Sequence, residues 1–152
     1  MILYIIGFTR AGKTTLANNL ALIWHIPVLD TDDLFRKAYQ TSIEEFVSKR
    51  GWPAFREHES SILLQTLKYG NLPADPSRYS AIIACGGGVV ELPANIAFLQ
   101  NQHVLWLAPN WDTLISRIRQ SPSAYCVNKS EIELKAEYER RLPLYRKCIR
   151  TR

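Results

Sequence analysis

The 152-residue sequence is poor in the features that mark several large protein classes. It has three cysteines, Cys85, Cys126 and Cys148, an odd number with no CxxC spacing, which argues against a disulfide framework or a zinc site. The three thiols are expected to be reduced and in or near the core. The histidines, His25, His58 and His103, have no metal-like partner spacing and read as structural or surface residues. There is no run of 18 apolar residues, so no membrane span is expected. The apolar start lacks a basic n-region and a small-residue cleavage site, which argues against a signal peptide and for a cytoplasmic protein. No internal repeat or low-complexity tract is visible. The formal net charge is +5, and residues 129–152 hold eight Lys/Arg against four Asp/Glu. That excess suits a surface receiving anionic small molecules. Without aromatic-basic interleaving, nucleic acid is not an expected partner.

What is present is an alternation of short apolar runs with amphipathic stretches in a length that fits one domain. Strands are expected at 2–6, 26–29, 81–85 and 104–107. Helices are expected at 13–25, 33–49, 55–69, 93–101, 111–120 and 130–140. Gly51-Trp52-Pro53 reads as a turn, 70–79 as a surface loop, 121–130 as irregular, and Pro143 as an interruption after the last helix. Strands alternating with helices predict an α/β fold with a parallel sheet covered on both faces. Ligands in such sheets bind beyond the carboxyl ends of the strands.

The candidate chemistry falls at those ends. Gly7-Phe8-Thr9-Arg10-Ala11-Gly12-Lys13-Thr14 matches G-x-x-x-x-G-K-[ST], with a strand before it and a helix after it. Such a loop wraps phosphates in backbone N–H groups and aims a helix N-terminus at the anion. Lys13 would reach the β- and γ-phosphates, and the Thr14 hydroxyl would ligate Mg²⁺. Asp30-Thr31-Asp32-Asp33 follows the second strand. One carboxylate there suits Mg²⁺, and another suits a substrate hydroxyl, whose proton it would accept. Asp33 reads instead as a helix N-cap and favourable dipole charge. Arg56 and Glu59 share a helix face, and on spacing alone they read as an ordinary surface pair. Three consecutive glycines, Gly86-Gly87-Gly88, remove every side chain from a strand end, which suits close approach of a ligand to the backbone.

Taken together the clusters resemble shikimate kinase. The order is GxxxxGKT, D-x-D at 30–32, F-R-x-x-E at 55–59, G-G-G at 86–88 and R-x-P-L-Y at 141–145, over nearly the whole chain. The resemblance implies a three-layer P-loop kinase domain spanning 1–152, with substrate-binding helices at about 32–70 and a lid at about 109–128. It implies a parallel sheet of order 2-3-1-4-5, here expected to lack the last strand. The reaction it implies is transfer of the ATP γ-phosphate to the 3-hydroxyl of shikimate, by a monomer with Mg²⁺ as cofactor and ATP and shikimate as its small-molecule partners. Asp32 would bind the reacting hydroxyl and act as base, with Lys13 as its catalytic partner. Gly7, Ala11, Gly12, Lys13, Thr14, Thr15 and Arg117 would bind ATP, and Thr14 and Asp30 would hold the metal. Arg56 and Arg141 would clamp the shikimate carboxylate beside Gly86, Gly87 and Gly88, with Glu59 bracing Arg56. The stretch aligned with the family's R-P-L lid segment is Ser123-Ala124-Tyr125-Cys126, without arginine, leaving Arg119 and Lys129 as candidates for its role. The alternatives are a kinase of another small hydroxylated acid and a weakly active nucleotide or metabolite binder.

Overall fold

A computed structural model describes residues 1–71 and 79–149. The expected loop at 70–79 therefore lies mostly outside the described residues. The sheet is built from β1 (Ile2–Ile6), β2 (Val28–Asp30), β3 (Ala81–Ala84) and β4 (His103–Trp106). All pairings are parallel and the order is β2-β3-β1-β4, which is the expected 2-3-1-4 run with no fifth strand among the described residues. Asp30 pairs with Ala84, Ala84 with Ile5, and Ile6 with Trp106, so the four strands finish together at one edge.

Side chains alternate across a strand, and here that alternation builds two cores. Tyr4, Ile6 and Ile83 face a cluster that includes Leu99, Leu114 and Tyr145, from α4 (Pro93–Leu99), α5 (Trp111–Gln120) and α6 (Glu131–Lys147). Leu3, Ile5 and Ile82 face the opposite way, onto Ala17 of α1 (Lys13–Trp24). A third cluster holds α2 (Thr31–Tyr39) to α3 (Ile43–Gln65) around Phe35, whose ring lies 4.9–5.2 Å from those of Tyr39, Phe46 and Phe55.

Several boundaries differ from the sequence reading. The second strand is Val28–Asp30, because Pro27 offers no N–H and serves only as acceptor, through its carbonyl, for Ile82 N–H. The expected helix at 33–49 is two helices. Gln40 turns left-handed (φ 51°), and Ser42 caps the new start by accepting from Glu45 N–H. The turn expected at 51–53 is a kink inside α3, with Gly51 at φ 80° and ψ 165°. The cap of α2 is Asp30, not Asp33: its carboxylate accepts from Asp32 N–H at 2.8 Å, while Asp33 sits in the first turn and pairs with Arg36 at 2.7 Å. Finally, α6 runs straight through Pro143 to Lys147. The ring removes one helical bond, to the carbonyl of Glu139, and both residues are exposed, which leaves that oxygen open to solvation. Burial of Arg141 and Tyr145 on either side holds the helix through that gap.

The Phe35 cluster is what keeps α2 and α3 in register. Phe35→Ala should cost ~3–5 kcal/mol of folding stability in urea denaturation. A loss below ~1 kcal/mol would mean that the cluster is not cohesive.

Candidate active site

The strand ends open onto one cleft of about 1000 Å³. It brings together Ala11, Gly12, Lys13, Thr14, Thr15, Asp30, Asp32, Arg56, Glu59, Gly86, Gly87, Gly88, Arg117 and Arg141. Of the residues singled out in the sequence for a binding or catalytic role, Gly7 is not on its wall, and neither are Arg119 and Lys129, the two candidates for a lid cation. A Cβ at Gly7 would collide with the carbonyl oxygen of Leu107, so Gly7 lets the loop leave β1 against the end of β4.

The loop from Phe8 to Gly12 is shaped by its backbone. Gly12 sits at φ 97° as the N-cap of α1, a position that L side chains rarely adopt. No side chain caps that helix, so its first N–H groups face the cleft ready for an anion. Lys13 is half-buried and its ammonium donates to Phe8 O at 2.8 Å. Burial pulls its pKa down to about 8, against the opposing pull of Asp32, Cys85 and Asp30. Arg117 lies against the loop, where it donates to the carbonyls of Arg10 and Ala11 at 3.2 and 3.1 Å.

Asp30 lies between two elements. One oxygen caps α2 and the other accepts from the Thr14 hydroxyl at 2.9 Å, which joins the phosphate loop to the second strand. Two residues further, Asp32 lines the cleft. Burial, with Asp30 and Glu59 adding repulsion, pushes its pKa up to about 7, and Lys13 and Arg36 oppose the shift. A carboxylate poised there can take a proton near neutral pH.

The three glycines each clear a different group. A Cβ on Gly86 would stand 2.8 Å from both Asp32 Oδ1 and Glu59 Oε1. One on Gly87 would stand 2.9 Å from Thr9 N of the phosphate loop, and one on Gly88 would lie inside the Arg56 guanidinium. The backbone of this segment is held as well. Gly86 N–H donates to Thr31 Oγ1 at 2.8 Å, and the Tyr145 hydroxyl donates to Gly87 O. The conformation of Gly86–Gly88 is therefore set from α2, α3 and α6 at once.

Arg56 and Glu59 are not a surface pair. Glu59 is 3% exposed, and one of its oxygens accepts from Arg56 at 2.8 Å. Its other oxygen is buried with no hydrogen-bond partner among the described residues. Burial raises the Glu59 pKa despite that ion pair. The Arg56 guanidinium stacks on Trp52 at 5.0 Å. Arg141, 1% exposed, donates to Glu91 at 2.5 Å, lies 4.4 Å over the Tyr125 ring, and reaches toward Gly87 O. The two sequence candidates for a lid cation are committed elsewhere. Arg119 forms a fork with Glu131 at 2.5 and 2.8 Å, and the Lys129 ammonium lies 4.2 Å over Tyr125.

Sequence reasoning missed Glu91, Tyr125 and Tyr145. Glu91 left no signal, being one acid in a turn. Tyr145 belonged to the R-x-P-L-Y run, and its helical distance of four from Arg141 puts both on one face.

A phosphate loop, a half-buried carboxylate near neutrality and two arginines against a side-chain-free strand end define a P-loop phosphotransferase for a small anionic acceptor. The shikimate kinase family model matches residues 10–151. The shikimate kinase of Trichormus variabilis is 32% identical over 145 residues, covering 94% of this chain and 75% of the relative, and that of Enterococcus faecalis is 32% identical, covering 96% and 83%. Among solved structures, the Acinetobacter baumannii shikimate kinase in complex with shikimate superposes with a TM-score of 0.82 at 26% identity, covering 99% of this chain and 83% of that one. An M. mycoides deoxyadenosine kinase shares the fold alone, at a TM-score of 0.57 and 16% identity. The chain belongs to the shikimate kinase family, and its activity is that of an ATP-dependent phosphotransferase acting on shikimate.

Gly88→Ala should force Arg56 away and leave Glu59 without its cation. A cost of ~3 kcal/mol or more is expected in denaturation. Gly70→Ala, whose Cβ would meet only Ile2 at 3.6 Å, serves as control and should cost less than ~1 kcal/mol.

Proposed function

We propose that Asp32 accepts the proton of the shikimate 3-hydroxyl while that oxygen attacks the γ-phosphorus of ATP. The observation that carries this reading is the Asp32 carboxylate, raised to about 7, in the same cleft as the phosphate loop and Arg56. The new bond joins the 3-oxygen to phosphorus. The bond between phosphorus and the β–γ bridging oxygen breaks, and ADP leaves. Helices α2 and α3 are read as the acceptor-binding part and residues 109–128 as the lid. Arg56 and Arg141 clamp the acceptor carboxylate, since a guanidinium offers paired donors in the plane that a carboxylate needs. Glu59 holds Arg56 in one rotamer, and the bare backbone of Gly86–Gly88 lets the ring approach. Lys13 gives up Phe8 O for the β- and γ-phosphates, regaining a charge partner. Arg117 fixes the loop carbonyls on the nucleotide side, and Gly12, Thr14 and Thr15 present N–H groups to the phosphates.

Mg²⁺ fits the donor set. Thr14 Oγ1 and Asp30 Oδ2 are hard oxygen donors 2.9 Å apart, beside the helix N-terminus. Among the described residues no group of three or more His, Cys, Asp or Glu forms an all-protein cage, which suits a cation that binds through one or two side chains and the substrate phosphates. When bound, it neutralises charge on the β- and γ-phosphate oxygens. The protein acts as a monomer in this reading, and catalysis is positioning and charge neutralisation.

The test is Mg²⁺-dependent ADP release from ATP with and without shikimate. Shikimate-stimulated release is expected, whereas binding of both ligands without release would favour a weakly active binder. Asp32→Asn should lower turnover by ~10³-fold while MgATP still binds. The wild-type kcat/KM should fall about tenfold per unit below pH 7, and a flat profile from pH 6 to 8 would remove Asp32 as base. Stability moves the opposite way. The folded state keeps the Asp32 proton to about pH 7 whereas the unfolded chain releases it near 3.8, so ionisation between those values lowers stability. Asp32→Asn should therefore raise the melting temperature at pH 8 by several degrees.

A further inference from the structure

Five arginines and Lys13 line the cleft, and their partners separate them. Arg36 is paired with Asp33, Arg56 with Glu59, and Arg141 with Glu91. Arg117 spends its donors on loop carbonyls. Arg10 differs from all of these. Like Arg117 it is exposed and has no carboxylate partner among the described residues, but its guanidinium donates to the Ser121 hydroxyl, at 3.1 Å, and not to a loop carbonyl. Of the two lining arginines without a carboxylate partner, it is therefore the one whose guanidinium is held by a neutral hydroxyl and not by the loop backbone.

The backbone at Arg10 gives a second, independent observation. Its φ is 60°, in the left-handed region, where glycine would sit without strain. A long cationic side chain is kept at a position that disfavours any side chain, three residues before Lys13. Strain of this kind persists only where the surroundings hold it in place. Here Arg117 holds it, by bonding the Arg10 carbonyl.

We propose that Arg10 is a catalytic residue that contacts the transferring phosphoryl group, so that the phosphate loop itself supplies the cation that the 121–128 segment lacks. This rests on the phosphotransferase reading above. As the bond to ADP breaks, negative charge grows on the bridging oxygen and stays on the three equatorial oxygens. A guanidinium on the loop can span two of these oxygens at once, which a single ammonium cannot. The reach to Ser121 shows the side chain turned toward the segment that follows α5, the side from which the phosphate chain would be covered.

The test uses Arg10→Gly and Arg10→Lys in the full chain. Glycine should lower the shikimate-dependent kcat by ~10³-fold, leave the KM for shikimate within about threefold, and leave the melting temperature unchanged or higher because the left-handed strain is relieved. Lysine should recover part of the rate, since it keeps the charge without the fork. In calorimetric titrations with Mg²⁺, the wild type should favour a non-hydrolysable ATP analogue over ADP, and Arg10→Gly should lose that preference. A glycine variant within about threefold of the wild-type kcat overturns the proposal, as does a rate loss accompanied by an equal loss of shikimate or ADP binding. Should the wild type show no shikimate-stimulated turnover, the acceptor assignment fails, and the analogue-to-ADP preference alone then decides Arg10: lost in the glycine variant it stands, unchanged it falls.

Discussion

The side-chain-free end of β3 is where the molecule is most constrained. Within three residues, two carboxylates, a phosphate-loop backbone and a guanidinium each occupy the place of a missing Cβ. The backbone groups left bare are then taken up by Thr31 from α2 and Tyr145 from α6. Each bond is worth only ~1 kcal/mol. Their value is geometric: α1's loop, α2, α3 and α6 are referenced to one rigid segment, and groups distant in sequence keep a fixed relation around the acceptor. Positioning of this kind is what an in-line phosphoryl transfer needs from a protein.

The same convergence creates electrostatic tension. Asp32 is raised to about 7 and Lys13 lowered to about 8, both mainly by burial, while each opposes the other's shift. Ionised together they relieve one another, and each is costly alone. The buried, unpartnered Glu59 oxygen adds to that cost. Without substrates the chain satisfies its donors internally, Lys13 on Phe8 O and Thr14 on Asp30. These are contacts that phosphates and a cation can exchange for stronger ones, so part of the binding energy goes into relieving a site that costs the fold stability.

Much of this was legible in the sequence, and the rest was hidden for identifiable reasons. The strands of the central sheet could be read because both faces of β1 and β3 are buried, so their apolar runs are unbroken. The loop motif and the glycine triplet announced themselves by composition. Arg56 and Glu59 did not, because i,i+3 spacing is the same on a surface helix as on one turned inward, and only the buried surroundings separate the two. Pro143 misled because the rule against proline in helices assumes a carbonyl with no water, and the Glu139 carbonyl lies on the solvent side. Asp33 reads as the cap although Asp30 is, since local sequence does not reveal which of neighbouring acids takes the non-helical position. Glu91 had no signal at all, as its role exists only once α6 folds back over the turn after the glycines.

Placing the transition-state cation on the phosphate loop changes what the lid has to do. A lid arginine delivers its charge only after closure, so charge neutralisation and exclusion of water arrive in one step. A loop arginine is beside the phosphates as soon as the nucleotide binds. The segment after α5 is then released from electrostatics and can be built for packing, as it is here. Tyr125 sits over Arg141 at 4.4 Å and edge-on to Trp52 at 5.5 Å, with Lys129 outside it. That aromatic layer covers the arginines assigned to the acceptor carboxylate and keeps them dry, which strengthens their pairing. Ser121 and Ser123, bonded to Arg10 and Thr9, tie the layer to the loop through neutral groups that separate at little cost when the side chains turn to a phosphate.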